Sequence, residues 1–480
     1  MNYKLIVRFI GLLLLVEGSA MLVAMVVSLL TGGSDFPALV LSALACGVIG
    51  LVAFFTTMKV EKSISKKEGY LIVTLVWAVF SLFGSLPYLL SGTIHGMANA
   101  FFETMSGFTT TGASVVDNIE SFPKGILFWR AMTHWLGGMG IVVLALSILP
   151  SYGGGLMMYD AESPGPVVER LSPHIYQTAR IVWLVYLFFT VLETLLLCLG
   201  GMSLFDSICH SFATMATGGF STRQASIAYW SSPYIQYVLT FFMIIAGTNF
   251  TLLYFALKGK FFKLYRDEEF RYYLLFILGF TILIFSGLLI TTSKPAEQAF
   301  RNSLFTVVSI ITTTGFVSVD YLQWTPVLYM LVFALFFFGG SAGSTGGGVK
   351  IVRVVMVLKN SYYELRRIIH PHAVIPVRFN KRAVEARIVN NVLAFFMFYI
   401  LIFFFSSVLF MIFEPDMITS MGAVATCLGN IGPGLGTVGP AFTFSPVNDL
   451  GKWFLSFLMM LGRLELFTVL VIFSPSFWRE

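Results

Sequence analysis

The chain has 480 residues, of which 57% are hydrophobic, 16% aromatic and only 11% charged. This excludes an ordinary soluble domain. Because the apolar runs are about 20 residues long rather than short and alternating, it also excludes a β-barrel and specifies an all-α polytopic membrane protein. The net charge of +6 reflects basic loops on one side of a membrane and not nucleic-acid affinity.

Two spans come first, at about 5–30 and 38–58, with a basic linker after them; together they make an N-terminal unit over 1–68. The first apolar run is long for a signal peptide and lacks a clear cleavage site, so it is expected to be retained. Glu17 inside it is costly unless partnered. The cysteines Cys46, Cys198, Cys209 and Cys427 show no CxxC spacing and read as small buried residues.

From residue 69 one unit is written four times: span, short half-helix, glycine turn, span. Repeat one covers 69–150, with spans 70–91 and 126–149 and a half-helix near 97–108. Repeat two covers 174–258, with spans 180–200 and 234–257 and a half-helix near 204–215. Repeat three covers 268–358, with spans 272–292 and 327–358 and a half-helix near 297–310. Repeat four covers 384–475, with spans 388–412 and 452–474 and a half-helix near 416–427. The sum with the N-terminal pair is ten spans.

The turns are Thr109-Thr110-Thr111-Gly112-Ala113, Met215-Ala216-Thr217-Gly218-Gly219, Thr312-Thr313-Thr314-Gly315-Phe316 and Gly429-Asn430-Ile431-Gly432-Pro433. Anchored on Gly112, Gly218, Gly315 and Gly432, they recur roughly every hundred residues. One such turn is an ordinary polar connection, but four in matched positions describe a ring around an axis. Irregular backbone persists at membrane depth only when buried in protein or lining a wet cavity. Rings of backbone carbonyls replace the water shell of a potassium ion, and glycine permits the φ/ψ values that aim them. The expected ion-binding residues are therefore Thr110, Thr111, Gly112, Ala216, Thr217, Gly218, Thr313, Thr314, Gly315, Asn430, Ile431 and Gly432. The half-helices present their C-terminal, negative dipole ends to the ring, which favours a cation.

Five residues past the anchoring glycines stand Asp117, Arg223, Asp320 and Thr437, and Asp117 with Asp320 are expected to flank an outer vestibule. The second span of repeat three is interrupted by Gly339, Gly340, Ser341, Ala342, Gly343, Ser344, Thr345, Gly346, Gly347 and Gly348. Each glycine costs a helix about 1 kcal/mol, so a broken helix with an intramembrane loop is expected, and a gate below the ring is the functional reading. Lys350 follows Val349 here, so the Gly-Lys-Ser/Thr ending of a phosphate-binding loop is missing. Arg463 falls inside the last span, where an arginine costs about 2.5–3.5 kcal/mol. It is expected to face the pore beside the loop, or else to pair with Glu465 or Glu193.

Lysine and arginine alternate between the loops so that 4–8, 59–67, 170–180, 258–271, 353–387 and 479 share one side, while Lys124, Arg130, Arg223, Lys294, Arg301 and Lys452 occupy the other. Both termini are therefore expected in the cytoplasm, with all four turns entering from outside. The basic loops near 150–179, 258–271 and 359–387 are long enough to dock a partner. His134, His210 and the other histidines show no ligand spacing, and neither a Ser/His/Asp arrangement nor a paired-carboxylate site emerges, so no enzyme is expected.

The four turns, the segment His134-Trp135-Leu136-Gly137-Gly138-Met139-Gly140, the glycine-rich break and Arg463 together resemble the Trk/Ktr/HKT superfamily of cation transporters. Within it, the two extra N-terminal spans resemble the membrane subunits of bacterial Trk systems. The resemblance implies potassium uptake across the inner membrane. It also implies a homodimer with a pore in each protomer, and a cytoplasmic ring of nucleotide-binding regulatory subunits. It assigns filter glycines to Gly112, Gly218, Gly315 and Gly432, a gating loop to 339–348 and a pore arginine to Arg463. Some plant relatives carry serine at the first filter position and favour sodium; Gly112 argues for potassium. Two other readings stay open: a proton- or sodium-coupled alternating-access symporter, and a non-transporting scaffold or sensor.

Overall fold

The computed structural model describes residues 1–57, 65–140, 175–373 and 375–479. Lys59, Lys62, Arg170, most of the 150–179 loop and the end of the expected 126–149 span lie outside the described residues.

Helices α1 (Tyr3–Leu30) and α2 (Phe36–Thr56) form an antiparallel hairpin. Small residues set its spacing: a methyl on Gly18 would stand 3.2 Å from both the Ala43 carbonyl oxygen and Cys46 Cβ. Asp35, in the connection, accepts from Ser28 Oγ (2.5 Å) and from the Ile126 N–H (2.7 Å). Its charge therefore sits at the N-terminal end of a repeat-one helix, where the dipole favours an anion. Glu17 is fully buried, and both its carboxylate oxygens lack a hydrogen-bond partner among the described residues.

Next come α3 (Lys66–Gly84), α4 (Leu86–Ser91), the half-helix α5 (Met97–Phe108) and α6 (Lys124–Gly138). They are followed by α7 (Ile175–Leu199), the half-helix α8 (Leu204–Met215), α9 (Pro233–Ala246), α10 (Phe250–Leu257) and the short α11 (Phe261–Arg266). The third set is α12 (Glu268–Thr291), the half-helix α13 (Ala296–Ile311), α14 (Pro326–Leu335) and α15 (Ile351–Ile369). The fourth is α16 (Ala386–Phe410), the half-helix α17 (Met417–Gly429), α18 (Asp449–Arg463), α19 (Leu466–Leu470) and α20 (Pro475–Trp478). Six described helices are long and apolar enough to cross a membrane: the N-terminal pair and the first helix of each set.

The second helix of each set behaves differently. Continuous spans are expected at 234–257 and 452–474, but the chain bends by 109° between α9 and α10 and by 116° after α18. The causes are local. Gly247 ends α9, and Asn249 then starts α10 by accepting from the Thr251 N–H. Glu465 stands at φ +59° just after α18, in the left-handed region that a non-glycine residue rarely enters. Helix α6 ends at Gly138, with Gly140 at φ +67°. Helix α14 stops at Leu335, ahead of the glycine-rich loop. A small feature without a hydrophobic pattern to announce it is the hairpin of β1 (Arg378–Phe379) and β2 (Arg382–Ala383), turned by Asn380 and Lys381 at φ +46° and +65°.

Candidate functional site: a ring of four glycine turns over an intramembrane loop

Each half-helix ends in the same backbone figure. The N–H groups of Thr111, Gly218, Thr314 and Ile431 bond the carbonyls of Ser106, Ala213, Ser309 and Thr426 at 2.9, 2.8, 2.8 and 3.0 Å. The residues just before them, Thr110, Thr217, Thr313 and Asn430, are all left-handed, at φ +53°, +54°, +56° and +52°. For a non-glycine residue this costs of order 1–2 kcal/mol, which the surrounding packing must offset. Two residues further, Gly112, Gly219, Gly315 and Gly432 are left-handed again, at φ +81°, +81°, +76° and +104°.

This conformation corrects the register of repeat two. The glycine equivalent to Gly112 is Gly219, not Gly218, so the matched triplet is Thr217-Gly218-Gly219 and Ala216 falls at the end of its half-helix. Two adjacent glycines made the anchor ambiguous in sequence, and only the sign of φ separates them. The counterpart of Asp117 and Asp320 becomes Gln224 rather than Arg223.

The glycines join the turns into a closed ring. A methyl on Gly112 would collide with the Gly218 carbonyl oxygen, one on Gly219 with that of Thr314, and one on Gly315 with that of Ile431. One on Gly432 would stand 2.8 Å from that of Thr111. The contacts run from repeat one to two, three, four and back to one. Each equivalent carbonyl, of Thr111, Gly218, Thr314 and Ile431, lies at a seam where only a glycine fits.

Side chains do not repeat so evenly. Thr109 Oγ1 pairs with Thr111 Oγ1 at 2.8 Å, and Thr312 Oγ1 with Thr314 Oγ1 at 2.7 Å. Repeats two and four have Ala216 with Gly218 and Gly429 with Ile431 at those places. Asn430 Nδ2 instead donates to Thr111 Oγ1 and to the Met459 carbonyl, both at 2.9 Å, tying repeat four to repeat one.

Behind the first two turns lies a buried polar cluster that sequence reasoning missed. Arg130, counted above as a loop charge, is buried and donates to Glu103 Oε1 (2.7 Å) and to the Ser221 carbonyl (2.9 Å). Glu103 Oε2 accepts from the Val115 N–H at 2.9 Å. His134 is buried, with Nδ1 2.7 Å from the Gly107 carbonyl oxygen and Nε2 accepting from the Phe220 N–H at 3.1 Å. A carbonyl only accepts and an N–H only donates, so the ring is the neutral Nδ1–H tautomer. An acid and a base in the apolar segments flanking one turn were the available signal.

The vestibule aspartates are partly committed elsewhere. Asp117 is exposed and accepts from Thr443 Oγ1. Asp320 caps a short turn, accepting from the Leu322 N–H (3.0 Å) and Gln323 Nε2 (3.2 Å). At the start of α17, Asp416 accepts from Thr419 Oγ1 (2.6 Å) and the Thr419 N–H (2.9 Å), which hold its carboxyl below the usual range.

The glycine-rich stretch is non-helical over 336–350, apart from isolated turns, and lies against the turns of repeats two and three. The Gly347 N–H donates to Thr313 Oγ1 at 2.8 Å, and Thr345 Oγ1 donates to the Met215 carbonyl at 2.9 Å. The Ser341 N–H reaches the Gly247 carbonyl at 2.9 Å, so the break in α9 provides the acceptor for the break after α14. Glu269, in the first turn of α12, accepts from the N–H groups of Ala342 (2.6 Å) and Val352 (3.3 Å) with one oxygen. Lys350 Nζ donates to the Gly346 carbonyl.

Arg463 crosses to this loop from the end of α18. It donates to the carbonyls of Thr345 (2.5 Å), Gly137 (2.7 Å) and Gly138 (3.2 Å) and to Thr110 Oγ1 (3.3 Å). Of the two acids considered for it, Glu465 pairs with Arg353, and the Glu193 carboxylate oxygens have no hydrogen-bond partner among the described residues. Beneath the loop is a cavity of about 120 Å³ whose lining includes Gly346, Lys350, Arg463 and Glu465.

Residues 37–480 match the family model described as TrkH, cation transport protein. The chain is 40% identical to the Trk system potassium uptake protein TrkH of Halomonas elongata, over the full length of both. It is 33% identical to the Trk system potassium uptake protein TrkG of Escherichia coli, over 100% of this chain and 99% of that one. The crystal structure of the potassium transporter TrkH from Vibrio parahaemolyticus superimposes with a TM-score of 0.91 at 36% identity, covering all of both chains.

Proposed function

Because the chain belongs to the TrkH family of cation transport proteins, we propose that it is the potassium-conducting membrane subunit of a Trk-type uptake system in the bacterial inner membrane. In this reading both termini are cytoplasmic. The observation that carries the proposal is the closed ring of glycine-to-carbonyl seams. Alternating left-handed residues along each turn bring successive carbonyls to one side, the arrangement with which a pore replaces the hydration shell of K⁺. The potassium ion, as transported substrate, is held by carbonyls of Thr110, Thr111 and Gly112, of Thr217, Gly218 and Gly219, of Thr313, Thr314 and Gly315, and of Asn430, Ile431 and Gly432. The half-helix C-termini add negative potential.

The loop 339–348 is the gate, and Arg463 is its latch. The arginine holds the Thr345 carbonyl on one side and the end of α6 on the other, placing a positive charge under the ring. Release of the loop removes both the obstruction and the charge. The membrane potential drives K⁺ inward at about 2.3 kcal/mol per 100 mV, more than tenfold in accumulation. We assign the protein a homodimeric assembly and a cytoplasmic nucleotide-binding ring that pulls on the gate through the basic inner loops.

The test is rubidium uptake into liposomes holding the purified protein, with sodium as competitor, for wild type and Gly315→Ser. Potassium and rubidium are expected to be preferred over sodium in wild type. That preference should fall about tenfold or more in the variant, whose new side chain meets the Ile431 carbonyl. An unchanged preference would move the filter elsewhere.

A further inference from the structure

The connection between α10 and α12 sorts its charges by direction. Lys258, Lys260, Lys263, Arg266 and Arg271 are all exposed. The acids beside them turn inward. Asp267 accepts from the Phe270 N–H and Asn380 Nδ2, both at 2.9 Å. Glu268 pairs with Lys359 and accepts from the Asn380 N–H, and Glu269 holds the glycine-rich loop. The fully exposed charges of this connection are therefore all cationic.

Large apolar side chains share that surface. Helix α11 has no buried residue, and Phe261, Phe262 and Tyr265 are 58%, 62% and 65% exposed. The cations lean on rings: Lys263 Nζ stands 3.7 Å over Phe255, and Arg266 Cζ 3.7 Å over Phe262. Apolar stems and rings at one level, with charged heads beside them, are what a membrane interface selects.

The depth agrees. Helix α12 has 24 residues and rises about 36 Å, so its first turn sits about one hydrocarbon thickness from its far end. Helix α10 turns 109° away from α9, so the chain leaves the axis of α9 before it reaches α11.

We propose that α11 and its flanks form a binding site for anionic phospholipid. The phosphodiester headgroup is held by Lys260, Lys263 and Arg266, with acyl chain against Phe261, Phe262 and Tyr265. Clustered lysine and arginine at the end of a span attract anionic headgroups, and exposed rings beside them anchor at the same level. The site stands on the structure alone. Its link to transport rests on the proposed gate: α11 leads directly into the turn whose Glu269 holds Ala342 and Val352, so a bound lipid steadies the closed loop.

The test counts bound lipids and does not depend on flux. Wild-type protein in micelles holding equal phosphatidylglycerol and phosphatidylcholine is analysed by native mass spectrometry. Two variants are compared: Lys258, Lys260, Lys263 and Arg266 all changed to Gln, and Arg366, Arg367, Lys381 and Arg382 all changed to Gln. Wild type is expected to retain phosphatidylglycerol about fivefold or more over phosphatidylcholine. The first variant should lose that preference and the second keep it. A second probe, Phe262→Ser with Tyr265→Ser, keeps every charge and should lower retention severalfold. Equal loss in both charge variants would reduce the effect to general attraction. Retention in the first variant, or full displacement of lipid by millimolar inorganic phosphate, would overturn the site.

Discussion

The two ends of the proposed pore are built on different principles. At the outer end four turns share one backbone figure, φ for φ, and interlock through glycines in a closed cycle. At the inner end the second helices of repeats two, three and four each break in their own way, and that of repeat one ends at Gly138 among the described residues. Repeat one stops at Gly138, repeat two bends 109°, repeat three opens into a glycine-rich loop and repeat four bends 116° beyond Arg463. Equal coordination of a spherical ion requires equivalent carbonyls, so divergence at the ring is costly. Opening and closing needs only one element that moves and one that holds it. In the proposed gate repeats three and four supply those, while repeats one and two supply acceptors: the carbonyls of Gly137, Gly138, Met215 and Gly247.

The largest expected effect comes from breaking the fourfold part at its corrected register. Gly219→Ala puts a methyl against the Thr314 carbonyl at a φ of +81°. Its loss of potassium-over-sodium preference in liposome uptake should match that of Gly315→Ala, about tenfold or more. A Gly219→Ala protein with wild-type selectivity would return repeat two to Gly218. Next comes the asymmetric part. Arg463→Gln loses the charge under the ring and weakens the grip on Thr345 and Gly137, so basal rubidium uptake without any partner should rise about three- to tenfold with selectivity kept. A fall in basal uptake would mean that the arginine supports the open path. The smallest effect is expected from Thr312→Val. It removes the hydroxyl paired with Thr314 but leaves the backbone turn. Selectivity should drop about two- to threefold, the lower end of what one net hydrogen bond of about 0.5–1.5 kcal/mol permits. A change as large as that of the glycine variants would show that the threonine pairs, present only in repeats one and three, carry the filter.

Composition and periodicity were sufficient for the all-α membrane class. The motifs around the turns, the glycine run and Arg463 were sufficient for the family, because long apolar helices and their interruptions are local properties of the chain. The four turn positions were legible for the same reason: a Thr/Gly cluster between apolar runs has few places to go in a bilayer. The register of repeat two was not, since Gly218 and Gly219 are identical in sequence and are told apart only by the sign of φ and by what each packs against. Nor were the bends after Ala246 and Arg463, where hydropathy stays high through a break that Asn249 and the left-handed Glu465 make without a hydropathy signal of their own.

Charges divide in the same manner. Lysine and arginine in the loops alternate in a pattern that can be read in order along the chain. Arg130 and Arg463 cannot, because each is kept in an apolar segment by oxygens far away in sequence: Glu103 and the Ser221 carbonyl for one, the Gly137 and Thr345 carbonyls for the other. What the chain dictates residue by residue is which segments enter the membrane and where the four turns fall. Which carbonyl meets which glycine, and which oxygen holds which arginine, exists only once the four repeats have closed on one another.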